Sequence, residues 1–246
     1  MEVLTYSFYP FKSTDTNFTS QYYLASMKRA KKLGYKIKLY STYKMYETLK
    51  QYTDEFVSID LEKFLLTDDL KIYIHSKEDI NCVTIDGDVI LKKALHFDNS
   101  ADIIFDRRGR IHNRKSNSIF AEYFSALQPY FPEKELKYFD YEGTFSSNVG
   151  ILKFNNQELK DLLIEEYNSA KNFFYSKIFP NLYQEVDLAK ILCEYYFTRI
   201  IEKKQFKASY LSEQEAYIHY HSNTKLTPEF KREIQTILLE QNDKVL

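Results

Sequence analysis

Residues 81–91 read Asn-Cys-Val-Thr-Ile-Asp-Gly-Asp-Val-Ile-Leu and form the most informative segment of the chain. Its apolar, β-branched first half predicts a buried strand, and Gly87 lets the chain turn as that strand leaves the sheet. Asp86 and Asp88 follow the strand, at the edge where open α/β sheets bind ligands. Two carboxylates this close repel each other, and a hard cation such as Mn²⁺ or Mg²⁺ relieves the repulsion. The alternative is a triplet without function, because chance also produces Asp-x-Asp in ordinary chains.

Strand-like and helix-like segments alternate along the rest of the chain. Apolar and β-branched runs predict strands over 3–8, 35–40, 56–59, 101–105 and 147–154. Helical spacing predicts helices from 20 to 33, ended by Gly34, and from 118 to 127. A further helix follows Asn155, an N-cap with Glu158 at the capping-box spacing. This alternation predicts an α/β fold with a mainly parallel, Rossmann-like sheet flanked by helices.

The last hundred residues read as mostly helical. An apolar stripe at helical spacing is formed by Val186, Ala189, Cys193, Tyr196 and Ile200. It predicts a helical C-terminal portion that packs against the sheet. Since no repeat or Gly/Pro/Ser-rich linker interrupts the chain, we expect a single domain over 1–246.

The composition narrows the classes of partner. A hydrophobic content of 44% and a charged content of 28% are typical of a soluble globular protein. The net charge of -1 gives no electrostatic footprint for nucleic acid. Both cysteines, Cys82 and Cys193, fall in apolar segments and read as packing residues. The N-terminus lacks signal-peptide features and no window is long and apolar enough to span a bilayer, so we expect a cytoplasmic protein.

Two charged clusters read as solvated surface. The basic run at 28–32 lies on a predicted helix face, where contact with anionic lipid at the inner face of the membrane is the alternative. Asp106, Arg107 and Arg108 follow the predicted strand 101–105, where contact with phosphate or acceptor is the alternative.

A second group of polar residues lies near the C-terminus. Thr227 is a candidate N-cap and Pro228 a candidate first helical residue. Lys225 therefore precedes a helix N-terminus, where free amides and the helix dipole favour an anion. His219 and His221 lie two positions apart and could supply one imidazole ligand to a metal. Solvated histidines on a surface loop are the alternative.

These motifs, taken in order, resemble metal-dependent glycosyltransferases of the GT-A fold. The family-eight type, that of glycogenin and galactosyltransferases, has an Asp-x-Asp strand end, an Asn-x-Gly-Val-like strand and a terminal His-x-x-Gly-x-x-Lys. The counterparts here are 86–88, 148–151 and 219–225, with Ser222 in place of the family glycine and Leu226-Thr227 in place of Pro-Trp. The chain is also similar to small bacterial transferases of capsule and lipopolysaccharide assembly. The resemblance implies a GT-A-like domain in polysaccharide biosynthesis.

The resemblance implies a ligand set for the metal and the diphosphate. Asp86 and Asp88 would hold Mn²⁺ or Mg²⁺, His219 would complete the protein ligands, and Lys225 would contact phosphate. The charge that develops on a leaving diphosphate needs such cationic groups. The implied donor is a nucleotide sugar, with a UDP-sugar favoured, and the implied acceptor is a glycan or a lipid-linked molecule.

Further residues receive roles only through the resemblance. Ser7, Phe8 and Tyr9 would line the nucleobase pocket, with core packing as the alternative for Phe8. Asn148 would face the sugar or the acceptor, with a strand-start hydrogen bond as its alternative. Glu185 and Asp187 lie near the place of the acidic stretch that contacts the donor sugar, although acids are also common in a first helical turn. Family eight implies retention of configuration.

Two other functions fit the Asp-Gly-Asp strand end. A phosphatase of the haloacid dehalogenase type would use Asp86 as nucleophile and Asp88 as acid, but that family opens its fold with this motif and adds a second acidic pair later. A non-catalytic GT-A scaffold that only binds a nucleotide sugar is the third possibility.

Overall fold

The computed structural model describes residues 2–8, 16–60, 64, 67–110, 138, 145–177, 191–220 and 227–240. The chain divides into two compact units. The first unit comprises Met1–Phe64, Cys82–His96 and Ser212–Leu246, and the second comprises Leu65–Asn81 and Phe97–Leu211.

Within the described residues, the first unit contains four parallel strands and a separate antiparallel pair. The parallel strands are β1 (Val3–Ser7), β2 (Lys36–Ser41), β3 (Glu55–Ser58) and β4 (Val83–Ile85), in the order β3-β2-β1-β4. The antiparallel pair is β5 (Val89–Leu91) with β9 (Tyr217–His219). Its helices are α1 (Thr16–Lys32), α2 (Tyr43–Leu49) and α6 (Pro228–Leu239), with a 3₁₀ turn at Lys50–Tyr52.

Local sequence signals set the limits of these helices. Gly34 follows α1 with a φ of 86°, a left-handed conformation that glycine adopts without a steric penalty. Thr227 caps α6, because its Oγ1 accepts a hydrogen bond from the backbone N–H of Phe230 at 3.3 Å. Both ends were predicted and both are confirmed.

Helices α1 and α6 share an apolar core with β5. Its buried members are Tyr22, Ala25, Ile90, Phe230, Ile234 and Ile237. Burial of this many large side chains supplies the main stabilisation of the contact, at about 1.5–3 kcal/mol for each fully buried aliphatic or aromatic residue.

The second unit is built on β6 (Ile103–Arg110), β7 (Phe145–Phe154) and β8 (Ala208–Tyr210). β6 pairs with β7 in antiparallel fashion and with β8 in parallel fashion. The helices are α3 (Thr67–Lys77), α4 (Gln157–Lys177), a π-helical segment (Ile191–Tyr196) and α5 (Phe197–Lys204). Their buried core includes Cys193, Tyr196 and Ile200 from the predicted apolar stripe.

The predicted fold class is confirmed. The sheet is mostly parallel and flanked by helices, and the C-terminal part is helical. None of the helices within the described ranges combines the length and the apolar character that crossing a bilayer requires. The predicted helix 118–127 and the residues Val186 and Ala189 lie outside the described residues.

Helix α4 begins one residue later than predicted. Asn156, not Asn155, is the cap, since its Oδ1 accepts from the N–H of Leu159 at 3.1 Å. Asn155 instead donates its amide to the carbonyl oxygens of Ala101 at 2.9 Å and Asp98 at 3.2 Å. Because these distant carbonyl oxygens engage the side chain of Asn155, Asn156 provides the N-cap.

Each of the two charged clusters contains one buried residue, Asp106 and Lys28 respectively, whereas Arg107, Arg108 and Lys32 are exposed as predicted. Asp106 is fully buried within β6, which continues through the cluster, and the guanidinium of Arg108 lies 3.7 Å from the ring centre of Phe145. In the basic run, the buried Lys28 donates to the carbonyl oxygens of Leu238 and Glu240 at the end of α6. Arg29 pairs with the Glu240 carboxylate at 2.6 Å.

Candidate metal centre

Three potential metal ligands meet in the first unit. One ligand atom each from Asp86, Asp88 and His219 can be chosen so that all lie within 4.8 Å of one another. Among the described residues, this is the group of three or more acidic, histidine or cysteine side chains that meets that spacing. The structure thus brings together the three residues that the sequence proposed as ligands, although His219 lies more than a hundred positions from the aspartates.

The backbone explains why these side chains converge. β4 ends at Ile85, and a turn follows in which the N–H of Val89 donates to the carbonyl of Asp86 at 3.1 Å. The chain then enters β5, whose Val89 lies opposite His219 of β9. The N–H of Tyr220 donates to the carbonyl of Asp88 at 3.1 Å. The antiparallel pairing therefore holds the imidazole next to the second aspartate.

The site is shielded from water on most sides. Asp88 is 7% exposed, whereas Asp86 and His219 are half-buried. His219 Nε2 lies 3.4 Å from Asp88 Oδ1. In such surroundings the like charges of two carboxylates interact more strongly than in water. Two carboxylates and an imidazole are a donor set that suits a divalent cation such as Mn²⁺, so these residues fit the implied metal.

Gly87 is required for packing rather than for an unusual backbone conformation. The chain turns at Gly87 as predicted, but the φ of Gly87 is not in the left-handed region, so the turn itself does not demand a glycine. A Cβ at this position would lie 2.3 Å from the ring of Tyr23. No side chain larger than hydrogen fits between the two ligands while that ring stays in place.

Tyr23 belongs to the site and was missed by sequence reasoning. Its hydroxyl donates to the carbonyl of Ser7 at 2.7 Å. Burial raises the pKa of Tyr23 well above its ordinary value, and the charges of Tyr22, Asp86 and Asp88 raise it further. The phenol therefore stays neutral and keeps its proton for the hydrogen bond. The small residue between the aspartates is a signal of close packing, but it does not identify the partner.

Two of the predicted nucleobase residues, Ser7 and Phe8, lie at the end of β1. Ser7 is half-buried and supplies the carbonyl that Tyr23 binds. Phe8 is fully buried, with its ring centre 4.4 Å from that of Tyr23. This is the core-packing arrangement that was the alternative for Phe8.

Asn148 is fixed by two hydrogen bonds in the second unit. Its Oδ1 accepts from the N–H of Gly150 at 2.9 Å, and its Nδ2 donates to Glu194 Oε1 at 3.0 Å. Glu194 lies in the π-helical segment, a form of helix that is often found at functional sites. Sequence reasoning missed Glu194, because the apolar stripe drew attention to its neighbours and nothing in the sequence indicates a π-helix.

Several predicted site residues lie outside the described residues. They are Tyr9, Glu185, Asp187, His221 and Lys225.

Comparisons with known proteins return likenesses of structure only. No family model matches the chain, and no curated protein matches it. Among solved structures, the chain is similar to the apo-form glycosyltransferase GlyE of Streptococcus pneumoniae TIGR4, with 12% identity and a TM-score of 0.43, over 85% of this chain and 44% of that one. The chain thus spans less than half of the length of GlyE.

Two further solved structures are similar over most of the chain. One is the CTP:phosphocholine cytidylyltransferase LicC of Streptococcus pneumoniae, with 10% identity and a TM-score of 0.48, over 96% of this chain and 98% of that one. The other is core-mannan synthase A of Aspergillus fumigatus in its Mn/GDP form, with 10% identity and a TM-score of 0.38, over 78% and 69%. At identities of 10–12% and TM-scores below 0.5, these three structures assign no function to this chain.

Proposed function

We propose that this chain is a metal-dependent glycosyltransferase that moves a sugar from a nucleotide-diphosphate donor, with a UDP-sugar favoured, to a glycan or lipid-linked acceptor. The observation that carries the proposal is the convergence of Asp86, Asp88 and His219 within 4.8 Å. These residues would hold Mn²⁺ or Mg²⁺.

The chemistry of donor cleavage explains why such a site is useful. A bound divalent ion stabilises the negative charge that develops on the diphosphate as the glycosidic bond breaks. Lys225, just ahead of the capped N-terminus of α6, would contact phosphate where the helix dipole already favours an anion. The half-buried surroundings of the ligands limit competition from water for these contacts.

The remaining roles follow from the resemblance to family eight. Ser7 and Tyr9 would line the base pocket, whereas the buried Phe8 packs in the core. Asn148, Glu185 and Asp187 would contact the sugar or the acceptor. Because the N–H of Gly150 donates to Asn148 Oδ1, the orientation of the Asn148 amide is fixed, with its N–H₂ group as the donor on the other side. Retention of configuration, one GT-A-like domain over 1–246 and a cytoplasmic location, including the inner face of the membrane, belong to the same proposal.

Two features favour the transferase over the phosphatase. Three strands, β1 to β3, precede β4, the strand that leads into Asp-Gly-Asp, whereas the phosphatase fold opens with that strand. His219 Nε2 lies 3.4 Å from Asp88 Oδ1, which suits two ligands of one ion better than a carboxylic acid that must donate a proton to substrate.

A nucleotide-sugar panel tests the proposal. Release of nucleoside diphosphate is measured for UDP-, GDP-, CDP- and TDP-sugars with Mn²⁺ and with excess chelator. We expect release from at least one donor in Mn²⁺ only, and its loss in Asp88→Asn. Asp98→Asn is the matched control, because Asp98 caps a surface turn through Ser100 and should leave release unchanged.

A trapping experiment distinguishes the phosphatase. That enzyme would form a covalent aspartyl-phosphate at Asp86, which beryllium fluoride mimics. A stable fluoride adduct at Asp86, without any response to nucleotide sugars, would overturn the proposal.

A further inference from the structure

Helix α1 contacts the turn at residues 86–89, which carries two of the candidate metal ligands, through Tyr23. The ring of Tyr23 packs against Gly87 so closely that a Cβ there would lie 2.3 Å from two ring carbons and 2.4 Å from a third. On its other sides the ring meets Phe8 at 4.4 Å, Tyr22 at 5.5 Å and Tyr6 at 6.4 Å between centres. The ring therefore packs among three further aromatic rings, and a movement toward any of them would displace that neighbour.

A second side chain of the same helix holds the far end of the turn. Ser26, three positions after Tyr23, donates its hydroxyl to the carbonyl of Val89 at 2.6 Å. Its Oγ also lies 3.0 Å from the hydroxyl of Tyr6 in β1. Residues three apart share one face of a helix, so a single face of α1 contacts the turn at Gly87 and at Val89.

The hydroxyl of Tyr23 connects this face to the end of β1. It donates to the carbonyl of Ser7 at 2.7 Å, and both residues are half-buried. Tyr23 therefore contacts both the segment that carries the two aspartates and the last residue of β1.

We propose that Tyr23 is a positioning residue of the metal site, whose ring fixes the spacing of Asp86 and Asp88 by packing against Gly87 and whose hydroxyl anchors the ring to Ser7. The inference rests on the proposed metal-dependent function. Tyr23 touches no reacting atom in this account, and it acts through the backbone between the two ligands. Residues that orient ligands in this way typically change metal affinity by roughly 10–100-fold when they are replaced.

The direct test is the Mn²⁺ dissociation constant, measured by electron paramagnetic resonance of the free ion at constant protein concentration. Gly87→Ala pushes a methyl group into the ring, and Tyr23→Leu removes the flat surface, so each should weaken Mn²⁺ binding by about tenfold or more. Tyr23→Phe keeps the ring and should retain most of the affinity. Because both changes act on one contact, the double variant should lose less than the product of the single losses.

Matched controls separate positioning from general destabilisation. Tyr35→Leu removes a buried tyrosine of the same unit whose hydroxyl accepts from the N–H of Leu95 at 2.7 Å. Gly34→Ala strains a glycine with a φ of 86°. Both should lower Tm and leave the Mn²⁺ dissociation constant within about twofold of the wild type.

The outcomes are distinct. Wild-type Mn²⁺ affinity in folded Gly87→Ala, or in folded Tyr23→Leu, overturns the inference alone. If Tyr23→Leu does not fold, the pair Gly87→Ala and Gly34→Ala decides, since only the first should lose Mn²⁺. Absence of Mn²⁺ binding by the wild type overturns the proposed function and this inference with it.

Discussion

Asp86 and Asp88 carry like charges within one ligand group, so each destabilises the other when no cation is bound. Asp86→Asn removes one charge and keeps the shape of the side chain. We expect Tm without metal to be equal to or above that of the wild type, and the rise of Tm with Mn²⁺ to disappear. For the wild type that rise corresponds to about 2.7 kcal/mol at a metal concentration of 100 Kd. Differential scanning calorimetry with and without Mn²⁺ measures both quantities.

A variant with lower metal-free stability and an undiminished Mn²⁺ response would contradict this assignment of Asp86. Such a result would mean that the carboxylate serves the fold and not the ion.

His219 offers a test of the register of β9. Val89 lies opposite His219, which directs this imidazole to the aspartates. His219→Ala should raise the Mn²⁺ concentration that is needed for half-maximal activity by roughly 10-fold or more, with partial recovery at high Mn²⁺. His221→Ala is the comparison variant, because His221 is the other histidine that the sequence offers as a ligand. Greater metal sensitivity of His221→Ala would mean that the ligand is two residues away from its assigned place.

At the level of elements, Lys28 ties α1 to the end of α6. The buried ammonium donates to two carbonyl oxygens, those of Leu238 and Glu240, which have no partner within the helix that they end. Lys28→Met keeps the aliphatic stem but leaves these carbonyls without that donor. We expect the free energy of unfolding in urea to fall by about 1–3 kcal/mol.

Lys32→Met is the control for this contact. Lys32 is 53% exposed and lies 3.4 Å from the same Glu240, so its ion pair should contribute less than about 1 kcal/mol. Equal losses in the two variants would show that the buried carbonyl contacts do not account for the stability of this helix pair.

His75 on α3 makes stability depend on pH. Burial lowers the pKa of His75 to about 3, and the charges of Lys160 and Lys71 act in the same direction. The ordinary pKa is 6.5, so between pH 6.5 and pH 3 the unfolded chain binds a proton that the native protein does not. The free energy of unfolding should therefore fall with decreasing pH across this window, by up to about 1.4 kcal/mol per pH unit from this group.

Urea unfolding at several pH values measures this slope. His75→Gln removes the titrating group and should flatten the curve between pH 6.5 and pH 3. Parallel curves for the variant and the wild type would show that other groups cause the pH dependence.

How far the sequence predicts each element depends on how local its determinants are. The Gly34 stop and the Thr227 cap depend on neighbouring residues, and both are predictable. The choice between Asn155 and Asn156 as cap depends on the carbonyl of Ala101, more than fifty residues away, and sequence pattern does not reveal it. The burial of Lys28 likewise depends on the end of α6.

The candidate site divides in the same way. Asp86 and Asp88 are recognisable because they are adjacent to a strand and to each other. His219 is found only through the resemblance, since the pairing of β5 with β9 links residues far apart in the chain. Tyr23 escapes both routes, because the contact between its ring and Gly87 is a matter of packing that no spacing announces.

At the scale of the whole molecule, the two units contain different candidate functional residues. The first unit contains all three candidate metal ligands and the positioning face of α1. The second unit contains the largest buried core of the two clusters described and the Asn148–Glu194 pair. The proposed metal binding therefore involves residues of the first unit alone, and it can be measured in the full chain independently of any acceptor.

Calorimetric titration of the 246-residue chain with UDP, once in Mn²⁺ and once in excess chelator, tests most directly whether an ion links the diphosphate to the protein. If Asp86, Asp88 and His219 hold the ion that receives the diphosphate, UDP should bind in Mn²⁺ and should give no measurable heat in chelator. The same titration of Asp86→Asn in Mn²⁺ should resemble that of the wild type in chelator. Binding of UDP with equal affinity in Mn²⁺ and in chelator would contradict the account.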